Sequence, residues 1–225
     1  MNISAIRPAR AVRRIARSAL MRAADWLPGE RSPVQMRLPR GSRDVALTFD
    51  DGPDPEVTPR VLELLASNDW RATFFVVGRR AEKHPALLRS IATAGHTIGN
   101  HTYSHIRCSS LKAAEFSKEV DRTDQIIRDA CPTPASPPLF RPPWGSITPL
   151  QTAFLWRQGR SIGFWSLSCD DSVESATVAT AGKAALRARP RDIVLLHDIR
   201  PLVLELLQIL IPDLRRRGIK SVSLR

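Results

Sequence analysis

The stretch Val45-Ala46-Leu47-Thr48-Phe49-Asp50-Asp51-Gly52-Pro53 decides the fold. Val45–Phe49 is uncharged and reads as a buried strand. Two adjacent carboxylates follow at once, and Gly52-Pro53 forces a sharp turn that presents both. Their mutual repulsion calls for a counter-ion. The bland alternative is an Asx-turn or a helix cap, a part that Asp54 can play. In a parallel α/β sheet or barrel the carboxyl ends of all strands open on one face, where active sites lie.

Working outward, short β-rich runs alternate with helical patterns. Further strands are expected at Ala72–Val77, Thr97–Asn100, Leu139–Phe140, Ser161–Ser168, Ile193–His197 and Lys220–Leu224. Helices are expected at Thr58–Asn68, His84–Ala94, Lys112–Ala130, Pro149–Gln158, Val173–Ala188 and Leu202–Arg217. Six prolines between Pro132 and Pro143 forbid regular structure there, apart from the brief extended piece at Leu139–Phe140. Seven strands alternating with helices imply parallel pairing through right-handed crossovers. Periodicity alone does not choose between a closed barrel and an open sheet.

The chemistry-bearing residues fall at the strand ends. Asp50 and Asp51 follow the first strand, His101 and His105 the third, and Arg141 the Leu139–Phe140 piece. Asp170 and Asp171 follow the fifth, and His197 ends the sixth. His101 and His105 are four apart, which would set both imidazoles on one side of a helical turn. Two imidazoles and one carboxylate, with a position left open for water, suit zinc or a similar divalent cation, and Asp51 is the natural third ligand. A lone pair of histidines at this spacing is more often structural, but Asp50-Asp51 reverses that reading. Asp50 is then free to take a proton from metal-bound water, and a two-pronged ion pair from Arg141 would hold it in place. His197 is the candidate acid for a leaving group, with Asp171 orienting its imidazole. The set is one for metal-assisted hydrolysis.

Four segments carry a resemblance: Thr48-Phe49-Asp50-Asp51-Gly52-Pro53, His101-Thr102-Tyr103-Ser104-His105, Arg141-Pro142-Pro143-Trp144-Gly145 and Leu195-Leu196-His197-Asp198. In this order they resemble the motifs of the NodB-homology polysaccharide deacetylases, carbohydrate esterase family 4, over about Val45 to Leu224. The resemblance implies a distorted (β/α)7 barrel and hydrolysis of an N-acetyl group from an amino sugar. It implies Asp50 as base, Asp51, His101 and His105 as ligands of one divalent ion (zinc, with cobalt and nickel as alternatives), Arg141 as the residue that orients Asp50, and His197 as acid. It further implies an oxyanion donor in the Trp144 backbone N–H and an acetyl-methyl pocket lined by Leu195; Tyr103 joins these two as a candidate substrate-binding residue. One motif departs from the family's Asp-x-x-Asp-Trp pattern. Asp171 matches the Asp that supports the catalytic His, but Ser168 stands for the first Asp and Ser172 for the Trp. The lost indole should widen or wet the acetyl pocket unless Trp144 or Trp165 refills it.

The chain of 225 residues is 43% hydrophobic and 25% charged, ordinary globular usage that excludes wholesale disorder. Its net charge of +12 is concentrated in residues 1–43, which hold ten arginines against two acids. The body is nearly balanced, which argues against a nucleic-acid interface. Between Ala9 and Leu27, Val12, Ile15, Ala16, Ala19, Leu20, Ala23, Trp26 and Leu27 share one helical arc, with Arg10, Arg13, Arg14 and Arg17 opposite. Such a stripe suits an anionic membrane surface, packing on the domain, or an organelle transit signal. The expected organisation is a basic amphipathic extension over 1–28, a linker over 29–43 and the deacetylase-like domain over 44–225. The arginines interrupt any secretory apolar run, and Cys108, Cys131 and Cys169 suggest no disulfide framework. A cytoplasmic enzyme, peripheral at the inner membrane face and acting on a glycan or lipid-linked precursor, is therefore expected. The competing readings are a hydrolase of another small amide, formyl or cyclic imide, and a non-catalytic glycan-binding relative.

Overall fold

The computed structural model describes residues 34–132 and 138–224. The amphipathic stripe over 9–27 lies outside the described residues. The strands are β1 (Val34–Gln35), β2 (Ala46–Asp50), β3 (Thr73–Val76), β4 (Thr97–Asn100), β5 (Leu139–Phe140), β6 (Ser161–Gly163), β7 (Leu167–Ser168) and β8 (Ile193–His197). Between them run α1 (Thr58–Ala66), α2 (Gly78–Ala81), α3 (Pro85–Thr93), α4 (Ala113–Ala130), α5 (Pro149–Arg157) and α6 (Val178–Ala185), with α7 (Leu202–Arg216) last. Local chemistry starts several of them. Thr148 and Gln151 cap α5 reciprocally ahead of Pro149, Thr177 and Thr180 do the same for α6, and Glu115 accepts the Lys112 N–H at α4.

All ladders are parallel, and the strands lie in the order β1-β6-β5-β4-β3-β2-β8-β7. Alternation along the central strands separates two of the three core clusters. Leu47, Phe49, Phe74, Val76, Val194 and Leu196 face outward into a large cluster with the helices. Ala46, Phe75, Leu139 and Ile193 face inward, where Leu38 and Leu224 join them. Strands covered on both sides must be apolar almost throughout, which is why Val45–Phe49 carries no charge.

The expected strand Ser161–Ser168 proves to be two. β6 pairs with β5 and β1, whereas β7 pairs with β8 at the other edge of the sheet. Only Phe164, Trp165 and Ser166 separate them, and four Cα steps reach at most about 15 Å. The two ends of the sheet are therefore drawn together, and the sheet curls into the parallel half-barrel of the expected type. Lys220–Leu224 pairs only through a single bridge, Ser221 to Val45. Near its end the segment steps across to the next strands, Leu224 N–H reaching Thr73 Oγ1 at 2.9 Å and its carbonyl accepting from Thr97 Oγ1, and no ladder forms. The described part of the expected linker belongs to the domain. β1 adds to β6, Met36 and Leu38 are buried, and Arg37 pairs with Asp192 at 2.9 Å. The helix expected from Val173 begins at Val178, where Thr177 caps it.

Phe74 is 1% exposed and stacks on Phe49 with ring centroids 5.0 Å apart. Phe74→Ala is expected to lower the unfolding free energy by about 3–5 kcal/mol, as measured by denaturant titration.

Candidate active site

Five strands deliver side chains to one mouth. The β2–β8 register pairs Asp50 with His197 and Thr48 with Leu195, so the candidate base and acid stand side by side on neighbouring strand ends. β4 ends at Asn100 and hands over to His101, and β5 hands over to Arg141. The β7 end leads into Asp170 and Asp171.

Arg141 is fully buried and uses its guanidinium in four directions. Nη1 donates to Asp50 Oδ1 at 2.6 Å and to Thr48 Oγ1 at 2.7 Å. Nε and Nη2 donate to the carbonyls of Gly163 and Phe164, each at 2.9 Å. The expected two-pronged pair with Asp50 is therefore single-pronged, because the other N–H groups bind the β6–β7 crossover. The ring of Phe75 lies 4.0 Å from the guanidinium carbon. Burial lowers the arginine's pKa, and the neighbouring Asp50 carboxylate opposes that shift.

His101 and His105 do not lie on a helical turn. A loop joins them, with Thr102 and His105 at φ 64° and 59°. The loop is held from behind by residues that sequence reasoning missed. Asn100 Oδ1 accepts the Thr102 N–H at 2.8 Å, while its amide donates to Asp124 and to the Val120 carbonyl on α4. Glu119, also on α4, accepts both the N–H and the hydroxyl of Ser104 at 2.7 Å. Asn100, next to His101, was within reach of sequence reading. Glu119 and Asp124 carry no local signal, because their meaning lies in how α4 docks.

Asp51 Oδ1 lies 2.9 Å from His105 Nε2 and 3.4 Å from His101 Nε2. The three ligand atoms lie within 4.8 Å of one another. His101 Nδ1 is 2.7 Å from the Arg141 carbonyl and must donate to it, so in the neutral tautomer this contact selects, Nε2 presents its lone pair toward Asp51. Asp51 Oδ1 is buried and no other donor among the described residues reaches it. Two electron pairs face each other across a gap that a cation would fill, and a carbonyl-anchored imidazole is the usual support of a metal-bound histidine. The donor set fits a divalent ion. Burial alone would raise the Asp51 carboxyl, but hydrogen bonds and positive charge from His101 and His105, when these rings carry a proton, outweigh it and hold the group well below the usual carboxylate range; a cation in the gap would supply that charge in their place.

Asp171 accepts from His197 twice, from the backbone N–H at 2.8 Å and from Nδ1 at 2.9 Å. Burial alone would lower the imidazole, but the Asp171 hydrogen bond and charge, with Asp50 and Asp51 nearby, push its pKa up from 6.5 to about 9.

The remaining residues lie around this floor. Leu195 is 6% exposed, next to Thr48 in register. Trp144, at φ 62°, is 60% exposed, and its ring centroid lies 5.5 Å from that of His105. Trp165 is the inward indole, against Gly145 and 5.7 Å from the Arg141 guanidinium carbon. Ser172 is exposed, and Ser168 bonds Asp170 locally. Tyr103 is not brought to this group: its hydroxyl donates to Glu82 at 2.8 Å and its ring lies under Arg122. Burial, with Asp171 and Asp170 beside it, keeps the Cys169 thiol protonated, so Cys169 is a packed core residue.

A candidate base on an arginine, a candidate acid on a carboxylate and three donors that could hold a metal meet on a curled parallel sheet, the arrangement of a metal-assisted hydrolase. The family model for polysaccharide deacetylase matches residues 37–159. A peptidoglycan-N-acetylglucosamine deacetylase of Bacillus cereus is 33% identical over 190 residues, 83% of this chain and 68% of the relative. A chitooligosaccharide deacetylase of Bradyrhizobium is 36% identical over 192 residues, 79% and 87% of the two chains. A crystal structure of a peptidoglycan N-acetylglucosamine deacetylase, in complex with 4-naphthalen-1-yl-N-oxidanyl-benzamide, superposes with a TM-score of 0.81 at 32% identity, covering 88% of this chain and 95% of that one. The chain belongs to the polysaccharide deacetylase family.

In the metal-free protein the His197 ring is expected to titrate near pH 9, read by NMR from its Cε1–H, and Asp171→Asn to return the midpoint toward 6.5. Because the folded value exceeds the unfolded one, the pair's contribution to stability is whole below about pH 6.5 and is lost as pH rises through about 9. A parent midpoint at or below 6.5 would contradict this arrangement.

Proposed function

We propose that this chain hydrolyses the N-acetyl group of an amino sugar within a glycan, releasing acetate and the free amine. The observation that carries the reading is the meeting, at one strand-end mouth, of Asp50 on Arg141, His197 on Asp171, and the Asp51, His101 and His105 donors. A divalent ion held by those three, zinc in our reading, would acidify water and polarise the acyl oxygen. Asp50, oriented by Arg141, takes the proton of the attacking water. The Trp144 N–H donates to the developing oxyanion. His197, kept protonated by Asp171, gives its proton to the departing amine nitrogen as the C–N bond breaks. Leu195 offers the apolar wall for the acetyl methyl, and the exposed indole of Trp144 a flat apolar face for a pyranose ring.

Supporting relatives act on peptidoglycan and on chitooligosaccharides, and both are the substrates to try first. Acetate release is expected with each active substrate, and Asp50→Asn is expected to lower kcat by about 10²–10⁴-fold. Metal content measured by mass spectrometry should be about one divalent ion per chain, lost in Asp51→Ala and His101→Ala. A parent that holds no metal after reconstitution would overturn the reading. A formyl or cyclic-imide substrate turned over while N-acetyl sugars are refused would move it to another amide.

We further infer that the chain works at an anionic membrane surface, on its cytoplasmic side. The stripe Val12–Leu27 with its opposed arginines supports the first point. The unpaired Cys108, Cys131 and Cys169 support the second. The full chain is expected to sediment with vesicles containing phosphatidylglycerol, and the chain lacking residues 1–28 to stay in solution. Equal partitioning of the two would refute this attachment.

A further inference from the structure

One buried titratable side chain has no part in the chemistry above. Asp198 follows His197 and is 1% exposed. Its Oδ2 accepts from Thr58 Oγ1 at 2.6 Å, and no donor among the described residues reaches Oδ1. Thr58 Oγ1 in turn accepts the Asp54 N–H at 2.8 Å. The carboxylate lies flush against the turn that carries Asp50 and Asp51. A Cβ added at Gly52 would collide with both carboxylate oxygens of Asp198. The Gly52 carbonyl accepts the Val77 N–H at 2.9 Å. The turn is thus gripped from the end of β3 by one hydrogen bond, and from the end of β8 by Asp198, which is tied to Thr58 at the start of α1.

A carboxylate is a costly filler for this place. Burial pushes its pKa up to about 7, against the Thr58 hydrogen bond, and the charges of Asp51 and Asp50 add to the rise. An apolar side chain would fill the same volume without desolvating a charge. Asp198 offers what an apolar filler lacks, an acceptor for Thr58 at the root of α1 and so a link to the Asp54 N–H.

We infer that Asp198, acting with Thr58, is a positioning residue that seats the Asp50–Pro53 turn on β8. It thereby fixes the candidate base and first metal ligand relative to His197, one residue away on the same chain. The meaning of those three residues rests on the proposed function; the seating itself is testable without activity.

Asp198→Ala, Asp198→Asn and Thr58→Val are compared with the parent in three measurements. These are cobalt affinity of the metal-free chain by chelator competition, thermal midpoint of that chain, and kcat and KM for acetate release from an N-acetylchitooligosaccharide. Asp198→Ala and Thr58→Val are expected to weaken cobalt binding about tenfold or more and to lower kcat about tenfold, with KM nearly unchanged. Asp198→Asn, which still accepts from Thr58, is expected to recover most of both. A lowered thermal midpoint with parental cobalt affinity and kcat would reduce Asp198 to packing and overturn the inference. Should Asp198→Ala fail to fold, Thr58→Val carries the comparison, since it keeps both the carboxylate and the side-chain shape. A parent that binds cobalt but releases no acetate would sink the proposed function alone, and the affinity series would still decide the role of Asp198.

Discussion

The buried guanidinium of Arg141 is the constraint around which this half-barrel is organised. A single side chain from the end of β5 bonds Thr48 and Asp50 on β2 and the two carbonyls at which the chain leaves β6 for β7. Those carbonyls mark the three-residue crossing that draws the sheet's edges together. The same contacts therefore set both the curl and the direction of the candidate base. Breaking a buried ion pair by deleting one partner leaves an uncompensated charge and costs about 3–5 kcal/mol. Arg141 and Asp50 also connect to the metal side, since the Arg141 carbonyl fixes the His101 ring. Base and ligand orientation thus rest on one residue's side chain and main chain together.

How far this was legible in the sequence depends on the kind of signal. β2 and β8 end in a titratable residue, β4 and β5 are followed directly by one, and each of the four short strands was readable within a residue or two. The run Ser161–Ser168 misled, because apolar continuity says nothing about which neighbour a strand pairs with. Its two halves lie near opposite edges, and only the tertiary pairing separates them. β1 was invisible for a different reason. Two residues inside a Pro- and Arg-bearing stretch have no periodicity, and they become a strand only because β6 offers an open edge.

The site was legible in its candidate reacting groups and not in their supports. Asp50, Asp51, His101, His105, Arg141, Asp171 and His197 stand at strand ends, where a sequence pattern can find them. Glu119 and Asp124 sit in the middle of α4 among other acids, and nothing local distinguishes them from a solvated helix face. Their role appears once the helix lies against the His101–His105 loop, whose left-handed backbone at Thr102 and His105 needs external hydrogen bonds. The single-pronged grip of Arg141 on Asp50 was likewise beyond reach, because its competing acceptors are backbone carbonyls that have no letter in the sequence.

These supports separate the floor of the mouth from its rim. The floor residues Asp50, His101, Arg141 and Asp171 are all at most 3% exposed, and each is held by fixed hydrogen bonds. Electrostatic groups so held need little reorganisation during a reaction, which is where their catalytic value lies. The rim is made of other material: an exposed Trp144 with the Arg107 guanidinium carbon 5.6 Å from its ring, an exposed Ser172, and Arg200 bonded to the Asp171 and Val173 carbonyls. The departure from the family's Asp-x-x-Asp-Trp pattern falls on this rim. Ser172 leaves the Asp171–His197 pair untouched, and Trp165 rather than Trp144 supplies the indole near Arg141. A change of that kind falls where the mouth meets solvent, while the candidate base and acid keep their hydrogen-bonded places.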